Sequence, residues 1–428
     1  MTPADRPSAM EPLLPSDPKR ELADLAIDVL RQSAALGVQL REPTRSSVAE
    51  LLRPMNSYYS NLIEGHSTRP IEIEKAFKAD YGGDEKKREL QQEGLAHIEV
   101  QRLMEERLRN EPALAICSPS FLCWIHREFY ERMPPELRRV RGPDGQVHPV
   151  VPGELRHVEV KVGQHVPPRH GALDRFLARF SEAYEPARLG KVERVVAAAA
   201  SHQRLAWIHP FLDGNGRVTR LFTHAYLVRA EIDGHGLWTA ARGLARMREA
   251  YFSALAVADD ERRNDYDGRG ALSEGGLREF CAFFLRTALD QISFMSSLLE
   301  LDRFESRIEG FADLLAVRER VHQSARDVLR DVLLRGMVAR GEVARIAGLS
   351  ERGARDLLSK LTRLGLLVSD TPKGPVRLGF PLLSVGYYFP RLYPEGVEQS
   401  LIAESSISSG PIRRSAKRPV RRRHLRSR

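Results

Sequence analysis

The stretch HPFLDGNGRVTR, from His209 to Arg220, gathers a base, a carboxylate, a glycine-flanked turn and two guanidinium groups. Gly214 and Gly216 bracket Asn215, and a helix starts immediately after them. Backbone N–H groups at a helix N-terminus, with no side chains in the way, form an anion site. Arg217 and Arg220 are three residues apart, so both can face that site from the first helical turn. Asp213 is a single carboxylate beside the cradle, which suits Mg2+, an ion usually held by one or two protein oxygens plus phosphates. His209 can accept a proton from an incoming hydroxyl near neutral pH. Each part alone is commonplace: a loop histidine, a turn, a solvated pair of arginines. Their conjunction is the equipment for positioning and charge stabilisation in transfer at phosphorus.

The same stretch resembles the Fic motif, His-Pro-Phe-x-Asp/Glu-Gly-Asn-Gly-Arg-x-x-Arg, and every specified position matches. The resemblance implies a mostly helical core built around the two helices that flank the motif. It also implies transfer of AMP from ATP to a Ser, Thr or Tyr hydroxyl of a target protein, with pyrophosphate leaving. On that likeness His209 is the general base and Asp213 the Mg2+ ligand. Gly214, Asn215 and Gly216 hold the α- and β-phosphates, and Arg217 and Arg220 neutralise the β/γ-phosphate charge. Doc-type kinases of the family have Lys where Gly216 stands and lack the second arginine, which disfavours a kinase.

Three further stretches carry the likeness. GQHVPPRH resembles the flap that covers the nucleotide and holds a target segment by strand-like pairing, which assigns Gly163, Gln164, His165, Val166 and Pro167. REAYFSALA is similar to the segment that packs on adenine, making Tyr251 and Phe252 base contacts. SNLIEG resembles the inhibitory helix motif Ser/Thr-x-x-x-Glu-Gly/Asn, whose glutamate pairs with the second arginine. Here that is Glu64 with Arg220, and Ser60 opens the motif. A carboxylate in the γ-phosphate site neutralises an arginine and repels a phosphate, so ATP would sit in a pose unfit for in-line attack. Self-modification, and removal of AMP by a water that Glu64 positions, use the same residues.

The elements that must position these groups read as all-α in the main. Residues 1–18 are Pro-rich and expected to be disordered. Residues 19–110 form an N-terminal helical segment, with the inhibitory helix at about 56–65, starting after Pro54 and closed by Gly65. Residues 111–310 form the Fic core, with Ser118 capping an apolar helix and a small β-hairpin flap between about 134 and 168. KVERVVAAAASHQRLAWIHPF is apolar nearly all round and so is a central helix. Residues 311–395 read as a winged helix-turn-helix, with a two-stranded wing around Pro372 to Gly374. Residues 396–428 are an expected disordered basic tail.

Composition locates the charge. The chain has 428 residues and a net charge of +9, yet nine of its 66 Lys and Arg fall in the last eighteen residues, which hold no acid. The remaining 57 basic residues balance 57 acidic ones, so the body is neutral and the basic character belongs to the tail. The tail and the arginines of the second winged-helix segment, Arg352, Arg355 and Arg363, offer a contact to DNA or another polyanion. A DNA-binding regulator is therefore the alternative from a different class. Three cysteines without a CxxC pair fit a reducing compartment. No apolar run spans a membrane, so the expectation is a cytoplasmic enzyme, with a homodimer as a possible state.

Overall fold

The computed structural model describes residues 5–66, 68–77, 84–141, 145–394 and 397. The chain opens with α1 (Glu21–Gly37), α2 (Glu42–Ile63), α3 (Pro70–Phe77) and α4 (Glu85–Asn110). Then come α5 (Pro119–Glu131), the hairpin β1 (Arg139–Arg141) and β2 (Val147–Pro149), and α6 (Leu173–Tyr184). The centre is α7 (Lys191–Ile208) and α8 (Asn215–Arg229), followed by α9 (Ala240–Arg246), α10 (Arg248–Asp259) and α11 (Glu274–Leu299). The fold class expected from the sequence, mainly all-α with small antiparallel β pieces, is the one observed.

Helix α7 earns its central place from its composition. Ala197, Ala198, Ala199 and Ala200 are fully buried, and such small side chains let α1, α6, α8 and α11 approach it from several sides. Ser118 caps α5 through its Oγ, which accepts from the Phe121 N–H at 3.2 Å. Helix α2 differs from the expectation that a new helix begins after Pro54. It runs unbroken from Glu42 to Ile63 with Pro54 inside. A proline in a helix interior costs about 3 kcal/mol. Burial of Val48, Leu52, Met55, Tyr58 and Ile63 on the same helix contributes roughly 1.5–3 kcal/mol per large apolar side chain, so packing wins over propensity. The carbonyl that Pro54 leaves without a donor belongs to Glu50, which is exposed. At the other end Gly65 takes φ 86°, and the His66 N–H closes onto Asn61 O at 2.9 Å.

Residues 5–18 lie packed rather than disordered. Met10 is fully buried, the Tyr184 hydroxyl and the Leu272 N–H reach Leu13 O and Glu11 O, and Arg204 Nη2 donates to Pro12 O at 2.9 Å. The interior guanidinium of Arg204 needs acceptors, and the Pro-rich segment supplies carbonyls that have no helix to satisfy.

After the core come α12 (Leu301–Arg318), α13 (Ala325–Arg335), β3 (Met337–Val338), α14 (Val343–Ala347), α15 (Glu351–Arg363), β4 (Leu367–Val368), β5 (Val376–Leu378) and α16 (Leu382–Tyr388). The strand order is β3-β5-β4, all antiparallel, with Val338 opposite Val376 and Leu367 opposite Leu378. The wing is thus three-stranded, because Met337–Val338, too short to read from its sequence, pairs with β5. The boundary expected at 310/311 falls inside α12, whose Glu305, Glu309 and Asp313 pair with Arg326 and Arg330 of α13. The unit docks on α2: Arg377 reaches Ser47 Oγ at 2.5 Å and Glu50 at 3.4 Å. Apart from Val397, the basic tail 396–428 lies outside the described residues. Among the described residues no helix is long and apolar enough to cross a membrane.

Candidate active site

The loop from His209 to Gly214 joins the two central helices. His209 itself ends α7 in the left-handed region (φ 49°), with its N–H on Leu205 O at 3.1 Å. Holding a non-glycine residue there costs roughly 1–2 kcal/mol, and Arg156 offsets it. Arg156 Nε donates to His209 O at 2.9 Å, while its other nitrogens reach Val158 O and Pro168 O. One buried arginine thereby ties the histidine loop to both ends of the flap. Asn215 staples the loop from the other side: its Oδ1 accepts from Phe211 N at 2.9 Å and its Nδ2 donates to Phe211 O at 2.8 Å. The Asn215 side chain is therefore spent on the loop, and only its main chain faces the cradle.

Gly214 sits at φ 77°, and a Cβ there would lie 2.8 Å from the Tyr130 ring. The close approach is used: the Tyr130 hydroxyl donates to Asp213 Oδ2 at 2.6 Å. A methyl group at Gly216 would collide with the Glu64 carboxylate, so the missing side chain is what lets the acid approach the start of α8.

His209 lies partly buried at the cavity wall. Its Nδ1 is 3.4 Å from Ala206 O; a carbonyl only accepts, so Nδ1 carries the proton and Nε2 is left with the lone pair. Burial lowers the ring to about 4, outweighing the Ala206 contact. The imidazole is therefore neutral, and able to take a proton, over the whole physiological range. For Asp213 burial pushes the carboxyl up, but Arg217, the Tyr130 hydroxyl and the Gly214 N–H together outweigh it and hold the group below its ordinary value. Both of its side-chain partners, Tyr130 and Arg217, bond Oδ2, and the side chain stays 41% exposed. An ionised carboxylate that is partly open to the cavity side fits a single-ligand Mg2+ position that phosphates complete. Among the described residues no cluster of three or more His, Cys, Asp or Glu could cage a metal by itself.

The two arginines of the motif have separate partners. Arg220 donates Nε to Ser60 Oγ at 2.9 Å, and Nη2 to Ser60 O at 3.1 Å and Glu64 Oε1 at 2.5 Å. Burial alone would raise the Glu64 carboxyl, but Arg220 overrides it and keeps the group ionised. Arg217 points away from the cavity. Its Nη1 pairs with Glu93 of α4, its Nη2 reaches Asp213 Oδ2 at 3.3 Å, and its guanidinium lies 5.1 Å over the Phe129 ring. The expectation that both arginines face a phosphate thus meets a different geometry at Arg217, because the buried Glu93 carboxylate draws the guanidinium inward.

An open cavity of about 1510 Å³ runs from Glu64, Gly216 and Arg220, past His209, to Tyr251 and Phe252. The flap residues Gly163 to Pro167 form one wall, with a tight Val162–His165 bridge and His165 Nε2 2.7 Å from Trp207 O. Tyr251 is buried, its hydroxyl 2.7 Å from His202 Nε2, so it is a core residue that shows one face to the cavity, whereas Phe252 is exposed. Asp5, Arg6, Ser8 and Ala9 of the N-terminal strap line the cavity too. Arg156, Glu93, Tyr130 and the strap carry no local signal in the sequence: each sits on a different element and is brought to the site by packing.

Residues 116–227 match the model of the Fic/DOC family. A protein adenylyltransferase Fic of Drosophila grimshawi is 42% identical over 86 residues, 20% of this chain and 18% of the fly protein. The Culex quinquefasciatus protein of the same name is 32% identical over 139 residues, 32% of this chain and 24% of its own. The chain thus spans about a fifth of the length of the curated relatives it matches. A Fic family protein from Desulfovibrio desulfuricans G20 superposes with a TM-score of 0.50 at 16% identity, covering 86% of this chain and 98% of that one, which shows a shared fold.

Proposed function

We propose that this protein, whose residues 116–227 match the Fic/DOC family model, transfers AMP from ATP to a hydroxyl side chain of a target protein and that Glu64 holds the reaction in check. The observation that carries the reading is the joint placement, on one cavity, of His209, the Gly216 cradle and an Arg220 already paired with Glu64. The acceptor oxygen attacks the α-phosphorus as the bond to the bridging oxygen of the β-phosphate breaks. The acceptor proton passes to His209 Nε2, and pyrophosphate leaves. The main-chain N–H groups at the start of α8 carry the developing phosphate charge, and Arg220 takes the γ-phosphate once Glu64 withdraws. Asp213 would hold Mg2+, which neutralises the triphosphate when bound. Arg217 keeps Asp213 oriented rather than touching nucleotide. The flap main chain pairs with the target segment, and Tyr251 and Phe252 flank the base.

The test is transfer from doubly labelled ATP to the purified protein and to lysate. Label on the α-phosphate should appear on protein and label on the γ-phosphate should not; His209→Ala should abolish the signal. Transfer of the γ-label would instead make the protein a kinase. No transfer, together with salt-sensitive retardation of a DNA fragment, would move the function to α15, where Arg352, Arg355 and Arg363 are exposed.

A further inference from the structure

Glu93 lies on α4, outside every motif, and its carboxylate is shared. Oε1 accepts from Arg217 Nη1, and Oε2 is 2.8 Å from His66 Nδ1. The Glu93 side chain is 5% exposed, and burial without partners would be costly for it. His66 is the second residue after Glu64. Between them stands Gly65, at φ 86° with nothing within 4 Å of where a Cβ would be, a link with no side-chain contacts of its own. On the other side of Glu64, Arg248 Nε grips Ile63 O at 2.8 Å. The main chain that carries Glu64 is therefore held from outside the helix at Ile63 and at His66, while the Gly65 N–H on Leu62 O at 3.0 Å and the His66 N–H on Asn61 O at 2.9 Å close the helix end itself; losing an outer contact would loosen that end.

We propose that Glu93 and His66 form a latch that keeps Glu64 on Arg220, so that Glu93 is a positioning residue for the inhibitory helix as well as for Arg217. The proposal rests on the inhibitory reading of Glu64 and adds the part that makes it releasable. Arg217 neutralises Glu93 whether or not His66 is present, so breaking the His66 contact leaves no unpaired charge in the core. The latch can open for the cost of one partly exposed hydrogen bond, whereas opening the Arg217 pair would break a buried ion pair.

The experiment uses the full-length chain with His66→Ala, His66→Asn, Glu64→Gly and the His66→Ala/Glu64→Gly double variant. Asn places an amide where the His Nδ1 donor stands, so it retains the bond to Glu93. Self-labelling from α-labelled ATP should rise roughly 3- to 10-fold in His66→Ala, as expected for losing one partly exposed hydrogen bond to a charged group. His66→Asn should stay near wild type, and the double variant should match Glu64→Gly. Deuterium uptake of residues 58–66 should increase in His66→Ala and not in His66→Asn. Uptake in His66→Ala equal to wild type would overturn the latch whatever the labelling shows. So would a double variant that exceeds Glu64→Gly, because His66 would then act elsewhere than through Glu64. Silence of Glu64→Gly itself would instead refute the inhibitory reading, with the uptake comparison still deciding the latch.

Discussion

The two arginines of one motif, three residues apart, are each held by a glutamate, yet the two pairs are built for different ends. Glu93 and Arg217 are sealed, with 5% and 11% of their side chains exposed. Glu64 and Arg220 lie at the cavity edge, where the arginine is 4% exposed but the glutamate is 33% exposed. A sealed pair is strongly destabilising to break, because the surviving charge has no water to turn to. A pair whose acid opens on a large cavity can give that acid up to water or an anion and keep the arginine satisfied. Proximity in sequence therefore gives one sealed ion pair and one whose acid lies at the cavity edge. What decides between them is the helix that supplies the acid: α4 in the interior, or the last turn of α2 at the rim.

Breaking each pair should separate the two roles. Glu93→Gln removes the buried acid of Arg217 and leaves Asp213 Oδ2 at 3.3 Å as its remaining carboxylate, so the expected loss is about 1–3 kcal/mol of stability, read as a fall of a few degrees in the thermal midpoint. A midpoint unchanged within a degree would mean that the pair is not sealed in solution. Glu64→Gly should leave the midpoint nearly unmoved, because cavity water can replace the acid, while the labelling rate rises by about 10- to 100-fold, on the order of 1.4–2.8 kcal/mol of relieved inhibition.

The pH dependence sharpens the comparison further. His209 is lowered to about 4 by burial, so the neutral base is present above that value and is lost only as pH falls through it. The labelling rate of Glu64→Gly should be flat between pH 6 and 8. A rate that halves near pH 6.5, the ordinary histidine value, would show a solvated ring instead. The smallest effect is expected just over a turn back along α2 from Glu64. Tyr393 packs on Tyr58 and Tyr59, and the Tyr59 hydroxyl donates to Leu392 O at 2.8 Å, so the segment after α16 braces the end of α2 that carries Glu64. Tyr393→Ala should raise basal labelling less than about threefold, since the contact lies more than a turn from Glu64. A rise as large as that of Glu64→Gly would place the control at the winged helix.

What the sequence disclosed follows from how local each feature is. The motif from His209 to Arg220 is one contiguous turn and helix start, and the helical class was legible in apolar periodicity and in caps such as Ser118. Glu64 stood out only through a short pattern with a known relative. Glu93, Arg156 and Tyr130 are ordinary residues of ordinary helices or loops; their roles come from long-range packing that no local pattern encodes. The strap failed for the opposite reason. Its proline content reads as disorder, while its order comes from carbonyls offered to the interior Arg204. Pro54 misled in the same way, because burial along α2 outweighs one missing hydrogen bond. The short β3 became legible only once its partner β5 was in place.

The most direct test of the central claim is the rate of α-labelled AMP transfer to protein in wild type against Glu64→Gly, each at saturating ATP. If Glu64 occupies the place of the γ-phosphate beside Arg220, wild type labels weakly, Glu64→Gly labels at least tenfold faster, and adding His209→Ala to Glu64→Gly silences it. Equal rates in wild type and Glu64→Gly would contradict the account, leaving the Glu64–Arg220 pair as a structural contact and nothing more.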